Sequence, residues 1–287
     1  MFSQFKSDKR FLNQYFLIII GLFFVANCLL SFFDAPDWEI FLSFIPVFVL
    51  LSMPQIQWVV LAWVYAVLVC VFRLDFDIVY LTLIPVAIVT TFILTAIFHS
   101  ASHSSIQPRW LKRLIGETIG FWQLAAFPLW CIVHVLHHKY SDDTVRDPHP
   151  PMDKTYWNFM LNMRKSVASV FSGFYMDLWG KSEESLRNMK EMAIESRVAT
   201  LLQVIFWFLL LGPQVFTFLF VFSIIFKMLH YAWFNYATHI YTPEGVQIVN
   251  LDHGLYKVVN FLAFGLYYHK NHHLRPDLFN PSKFADK

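Results

Sequence analysis

Charge is scarce in this sequence. Only 15% of its 287 residues are charged, against a usual share of about 25%, so it has too little polar surface to cover an ordinary soluble domain. A net charge of +2 provides no basic field, and no nucleic acid is expected as a partner. Cysteine is nearly missing too. Cys28, Cys70 and Cys131 lie in apolar segments without metal-site or disulfide spacing, and they read as small buried residues. That excludes an iron–sulfur cluster held by this chain. The sequence also lacks a nucleotide-binding fingerprint, internal repeats and low-complexity linkers.

What fills the space is apolar. Hydrophobic residues make up 57% and aromatics 19%, with 32 Phe. They come in long runs, the mark of an integral membrane protein. A basic start (Lys6, Lys9, Arg10) precedes an apolar run at 11–33, long enough for a hydrocarbon core of about 30 Å. No small-x-small cleavage site comes after it, so the run is expected to be an uncleaved anchor, ended by an acidic turn at 34–39. Residues 40–72 are interrupted by Ser52, Pro54, Gln55 and Gln57 and read as two short spans. A clean run at 78–98 then delivers His99 at its end. Residues 108–119 are basic and amphipathic, suited to a membrane surface. Residues 121–133 are apolar but too short to cross, which suggests a re-entrant or interfacial segment. Polar chain continues to Arg197, with a solvated helix expected at 181–197. Residues 198–226 are apolar again, and Gly212-Pro213 suits a turn between two spans. The second of these is expected to continue past Lys227 as a helix carrying His230, Asn235 and His239.

The expectation is one all-α integral membrane domain with about four to six transmembrane helices. Residues 1–98 would hold transmembrane helices, 99–197 a cytoplasmic region, 198–226 a transmembrane hairpin and 227–287 a second cytoplasmic region. Charge supports one orientation. With the N-terminus cytoplasmic and four spans before His99, Arg73 is the only one of 22 Lys and Arg on the far side, as the positive-inside rule requires. Both termini are then cytoplasmic.

Nine of the 12 histidines fall into four short groups: His99 and His103; His134, His137 and His138; His239, four after Asn235; and His269, His272 and His273. Residues at i, i+3 and i+4 share a helix face, so each group can aim its imidazoles at one point. Neutral imidazole is a ligand for Fe, Zn, Cu or Ni. One zinc takes about three or four ligands, so nine histidines suit two metals. Histidines kept for pH or metal sensing in a non-catalytic membrane protein are the rival reading. That reading expects them along a path across the bilayer, whereas these gather on one side.

The residues also resemble a family. His99-Ser-Ala-Ser-His103, His134-Val-Leu-His-His138 and His269-Lys-Asn-His-His273 look like the three histidine boxes of membrane fatty acid desaturases and hydroxylases. Asn235-Tyr-Ala-Thr-His239 resembles the NxxxH element before the third box of acyl-CoA desaturases. The stretch His138-Lys-Tyr-Ser-Asp-Asp with Asp147-Pro-His149 is similar to the segment just after their second box. The resemblance covers roughly residues 78 to 280, and the chain departs from it at Ser100 and Ser102, where bulkier residues are expected. It implies a cytoplasmic, histidine-lined di-iron cap with two iron ions cycling between Fe2+ and Fe3+, and O2 as co-substrate. By that analogy His99, His103, His134, His137, His138, His239, His269, His272 and His273 are iron ligands, and Asn235 is a weak or water-mediated one. In the family, two electrons and O2 are spent on removing hydrogen from an unactivated C–H bond. Loss of a second hydrogen gives an alkene, and return of oxygen gives an alcohol. The boxes are common to desaturases, fatty acid and alkane hydroxylases, terminal-alkene-forming decarboxylases and carotenoid oxygenases. The NxxxH element favours an acyl desaturase.

Around the boxes, Asp147, His149 and His253 are candidates to support the ligands, as are Asp142, Asp143 and Asp252. His230, nine before His239, points elsewhere on a straight helix. With no flavin, cytochrome or nucleotide segment in the sequence, electrons are expected from a separate ferredoxin, rubredoxin or cytochrome b5-like donor. Lys112, Lys139, Lys270 and Arg275 are candidates for its docking. The substrate class is a membrane lipid or fatty acyl chain, whether acyl-CoA, acyl-carrier protein, phospholipid or free fatty acid.

Overall fold

The computed structural model describes residues 38–53, 55–103, 106–151 and 155–284, with Ile18, Gly21 and Leu22. Apart from those three positions, the anchor expected at 11–33 lies outside the described residues, as does Cys28. The described chain is helical except for one hairpin. In order it forms α1 (Trp38–Leu51), α2 (Ile56–Arg73), a 3-10 turn (Ile78–Thr82) leading into α3 (Leu83–Ser102), α4 (Arg109–Trp122), α5 (Phe127–Lys139), α6 (Tyr156–Trp179) and α7 (Glu183–Val215). Next come a π-helical stretch (Phe216–Val221), α8 (Phe222–Thr238), β1 (His239–Thr242), β2 (Gly245–Ile248), α9 (Leu255–Leu262), α10 (His269–Leu274) and a 3-10 turn (Pro281–Lys283).

By length and composition, three stretches among the described residues can cross a membrane: Ile56–Arg73, Ile78–Ser102 and Glu183–Thr238. The pair α4 and α5, bent by 101°, makes a fourth if it counts as one span. That bend is where the sequence left a choice between re-entrant and interfacial chain. The first half of the broken 40–72 run, α1, has 14 residues and a length of about 21 Å, short for a bilayer.

Two compact units divide the described chain, each built from discontinuous pieces. The first takes the chain up to Ile88, Phe121–Ala126 and Trp179–Phe226. Ser182 starts α7 by accepting a hydrogen bond from the Ser185 amide at 3.1 Å, with Glu183 and Glu184 in the first turn, where the helix dipole favours acid. Gly212 ends the helical course with φ 71 and ψ 163, a conformation open to glycine, and Pro213 is next. The aromatic rings register the break. Phe208 and Phe216 would stand about 12 Å apart along an unbroken helix, yet their rings are 5.4 Å apart. Trp207 and Phe220 would be about 19 Å apart and are at 5.8 Å. The chain doubles back at Gly212. Phe44 and Phe48 of α1 close on Phe208 at 4.7 and 5.1 Å, giving a fully buried phenylalanine core. In lipid such a core is held by close packing, since the surrounding tails are as apolar as the rings.

The second unit takes Val89–Gly120, Phe127–Leu178 and the chain from Lys227. Its apolar centre is Ala96, Phe234, Ala263, Leu266 and Tyr267, with Tyr256 and Val259 of α9 packed on it. The opposite face of α9 leaves Leu255, Val258 and Phe261 exposed. The expected helix through His239 is corrected here. α8 stops at Thr238, whose hydroxyl bonds back to the Phe234 carbonyl at 2.7 Å, and His239 opens β1, paired antiparallel with Ile248. Ile240, Tyr241 and Thr242 prefer strands, and the Pro-Glu-Gly after them turns the chain back.

Candidate metal centre

All four histidine groups lie in the second unit. His99 sits in the last turn of α3, and His103 stands in the turn beyond it, its amide on the Ser100 carbonyl at 3.2 Å. His134, His137 and His138 occupy the end of α5. His239 heads β1, and α10 carries His269, His272 and His273. The structure sorts them into two sets that cut across the sequence groups. His99, His103, His134 and His272 offer ring nitrogens within 4.8 Å of one another, and so do His137, His239, His269 and His273.

Contacts within each set are short. In the first, His103 Nε2 is 2.8 Å from His134 Nε2. His138 joins it as a fifth member, with Nε2 at 2.9 Å from His272 Nε2 and 3.2 Å from His134 Nε2. In the second, His269 Nε2 stands 3.1 Å from both His239 Nε2 and His273 Nε2. A neutral imidazole has one N–H and one lone pair, so a nitrogen facing two others cannot satisfy both. His99 Nε2 and His137 Nε2 are buried with no hydrogen-bond partner among the described residues, a costly arrangement for hydrogen bonding alone. Two ligands at about 2.1 Å from one ion, near a right angle, stand about 3 Å apart. The donor set therefore fits two cations. All-imidazole ligation, with no thiolate, suits iron, zinc, copper or nickel.

Two carboxylates back the second set. His137 Nδ1 donates to Asp147 Oδ1 at 2.8 Å, and His239 Nδ1 donates to Asp142 at 3.1 Å. A carboxylate only accepts, so each ring carries its proton on Nδ1 and turns the Nε2 lone pair inward. Asp142 and Asp147 share one loop, where Asp147 Oδ2 accepts from the Asp142 amide at 2.6 Å and Oδ1 from the His149 amide at 2.8 Å. Burial, then the nearby Lys112, pushes His103 down to about 4. Burial and the neighbouring His137 hold His273 at about 2. Burial likewise lowers His239, against the pull of Asp142, and takes His269 and His272 well below the usual range. Burial alone would raise the Asp147 carboxyl, but His137 and His149 beside it bring it down. At neutral pH these imidazoles are neutral, the form that ligates.

The remaining candidates separate clearly. Asn235 is buried and its amide donates to the Tyr231 carbonyl at 2.9 Å. His149 is buried beside His137, with ring centres 5.8 Å apart, and shares a hydrogen bond with the Tyr231 hydroxyl through Nε2 at 3.2 Å. His253 is exposed with its ring against Tyr256 at 5.6 Å, and no ring contact joins it to the two sets among the described residues. His230 is buried edge-on to Phe92 at 4.5 Å. Sequence reasoning passed over Trp130, which stacks on His134 at 5.1 Å and 14°. Its position four residues before His134 on α5 was the available signal.

Residues 78–278 match the family model for fatty acid desaturase. The chain belongs to the fatty acid desaturase family. Every box histidine lies inside the matched span. No curated protein and no solved structure matches the chain. Membership makes this desaturase-family protein a membrane oxidoreductase acting on lipid or fatty acyl chains.

Proposed function

We propose that this chain is an oxygen-dependent fatty acyl desaturase with a di-iron centre held by histidine. The observation that carries the reading is the sorting of eight buried or half-buried imidazoles into two convergent sets, with His138 against the first, within one family-matched region. His99, His103, His134, His138 and His272 would hold one iron. His137, His239, His269 and His273 would hold the other, with Asn235, four residues before His239, as the candidate to act through water. Reduced by two electrons and given O2, the iron pair would supply the oxidising power to break an unactivated C–H bond. In balance, the alkyl chain loses two hydrogens and O2 takes up two electrons and two further protons, leaving an alkene and two waters.

The protein's own contribution is to keep each lone pair aimed inward. Asp142 and Asp147 fix the tautomers of His239 and His137, and Trp130 fixes the plane of His134. We place the site on the cytoplasmic side of a multi-pass single domain with both termini cytoplasmic, as the lysine and arginine distribution favours. Lys139 and Lys270 are exposed near the boxes and suit an acidic electron-donor protein. Arg275 is clamped by Asp277 at 2.8 Å and Lys112 reaches the Ser102 carbonyl at 3.3 Å, so those two are less free to take part.

Detergent-purified protein should contain close to two irons per chain by elemental analysis, with Mössbauer doublets to match. Given a reductant, O2 and a lipid extract, it should yield products two mass units lighter. Products sixteen units heavier would move the reading to a hydroxylase, and loss of carbon dioxide to a decarboxylase. One zinc per chain, or no stoichiometric metal after anaerobic preparation, would leave a sensing or structural protein on the same scaffold.

A further inference from the structure

The two histidine sets are not alike. Behind the second set stand two carboxylates on one loop, Asp147 on His137 at 2.8 Å and Asp142 on His239 at 3.1 Å. Behind the first set, no carboxylate meets a ring nitrogen of His99, His103, His134, His138 or His272 among the described residues. The first set has one imidazole more, but imidazole adds a ligand and no charge.

We propose that Asp142 and Asp147 make the second position the tighter and more readily oxidised of the two metal sites, so that the centre loads and oxidises in order. The proposal rests on the di-iron reading above. A divalent cation among neutral imidazoles is a buried charge, and a buried charge is stable only when paired. At the first position His99, His134 and His272 are all nearly sealed from solvent, and among the described residues no carboxylate pairs with their rings. At the second, Asp147 is 1% exposed and shares its loop with Asp142, so two negative charges lie one ring away from the metal. Oxidation to the trivalent ion deepens the same preference. Each carboxylate also locks its ring with Nε2 inward, and loss of such an outer contact weakens metal binding by roughly 10- to 100-fold. Asp142 and Asp147 are positioning residues, acting through His239 and His137.

The test is the full-length protein loaded with 57Fe, as wild type and as the double variant Asp142→Asn/Asp147→Asn. Asparagine keeps an oxygen that accepts from Nδ1 and removes the charge. At Asp147 it also replaces with NH2 the Oδ2 that accepts from the Asp142 amide, so Asp142→Asn alone is the cleaner removal of charge. His103→Ala and His273→Ala assign the Mössbauer doublets to the first and second positions. During dialysis against a chelator, the wild type should lose the first-position doublet before the second. The double variant should lose this order, with second-position affinity down by about 10-fold or more while the first doublet persists. Titration of the ferrous protein with a one-electron oxidant should turn the second position ferric first in wild type only. Retained first-position iron also shows that the variant is folded. If the double variant does not survive purification, Asp142→Asn alone, with a side chain that reaches solvent, carries the same comparison at one contact. Equal loss from both positions in the wild type, or an order in the double variant that is unchanged from wild type, overturns the proposal. A wild type that binds no iron overturns the di-iron reading instead.

Discussion

His138 and His272 meet through their Nε2 atoms at 2.9 Å, although they lie 134 residues apart in sequence. This contact joins the second and third boxes in one set, and it separates the roles of the two residues. His272 is buried and belongs to the convergent four, whereas His138 is half-buried and approaches as a fifth. His272→Ala should reduce turnover by more than about 100-fold, beyond the effect of losing an outer-sphere contact, with the protein still inserted in the membrane. His138→Ala leaves four nitrogens at that position and should keep both irons while shifting the first-position doublet. Iron content and turnover of the two variants check this, and full activity in His272→Ala would sink the ligand assignment.

His230 provides the control. It is as buried as the ligands, at 5% exposure, but its ring packs on Phe92 and, at 5.9 Å, on Tyr267. His230→Ala should keep turnover within about tenfold of wild type. The lost packing should cost stability on the order of 1–3 kcal/mol, the usual range for a buried truncation. Equal loss of activity in His230→Ala and His272→Ala would count against the division between them.

How these two histidines part company also shows what is legible in a sequence. Spacing at i, i+3 and i+4 marks the boxes on one helix face, and charge and apolar runs mark the spans between them. Spacing does not reveal that His137 and His138, adjacent on α5, enter different metal sets. Neighbours on a helix point about 100° apart, and only the folded positions of α10 and β1 decide which set each meets. The β-hairpin was legible in principle from strand-forming residues on both sides of Pro243-Glu-Gly245, but the pull of a long apolar helix ending in NxxxH obscured it. The loop carboxylates were visible as candidates. What selects Asp142 and Asp147 over Asp143 and Asp252 is backbone folding: Asp143 instead accepts from the Val145 and Arg146 amides at 2.9 Å.

Gly265 lies four residues before His269 and adopts φ +77. A Cβ there would run into the Asn280 side chain and the Ser282 backbone, which together form the turn beneath α10. Gly265→Ala should cost about 1–2 kcal/mol for the left-handed backbone alone, with the collision added. The melting temperature in detergent should fall and second-position iron should become easier to strip. An unchanged melting temperature would mean that the turn can move aside without disturbing the third box.

Asn271 sits between the ligands of the third box without being one. Its amide nitrogen donates to the Pro281 and Phe284 carbonyls at 3.2 and 3.3 Å. Its oxygen accepts from Asn250 at 2.8 Å, while its backbone N–H donates to the Asn250 side chain at 3.2 Å. The residue therefore pins a six-residue helix, too short to hold its own geometry, to chain on both sides. Asn271→Ala would leave two carbonyls and the Asn250 amide to find other partners, and each group left buried and unsatisfied costs about 1–3 kcal/mol. Asn271→Asp keeps the contact with Asn250 but sets a carboxylate oxygen against the Pro281 and Phe284 carbonyls in a buried site, so its melting temperature should lie at or below that of Asn271→Ala. Iron per chain should fall in the same order, because His269, His272 and His273 reach the two sets only while α10 is held in place. Wild-type iron and stability in Asn271→Ala would show instead that metal binding alone fixes the helix.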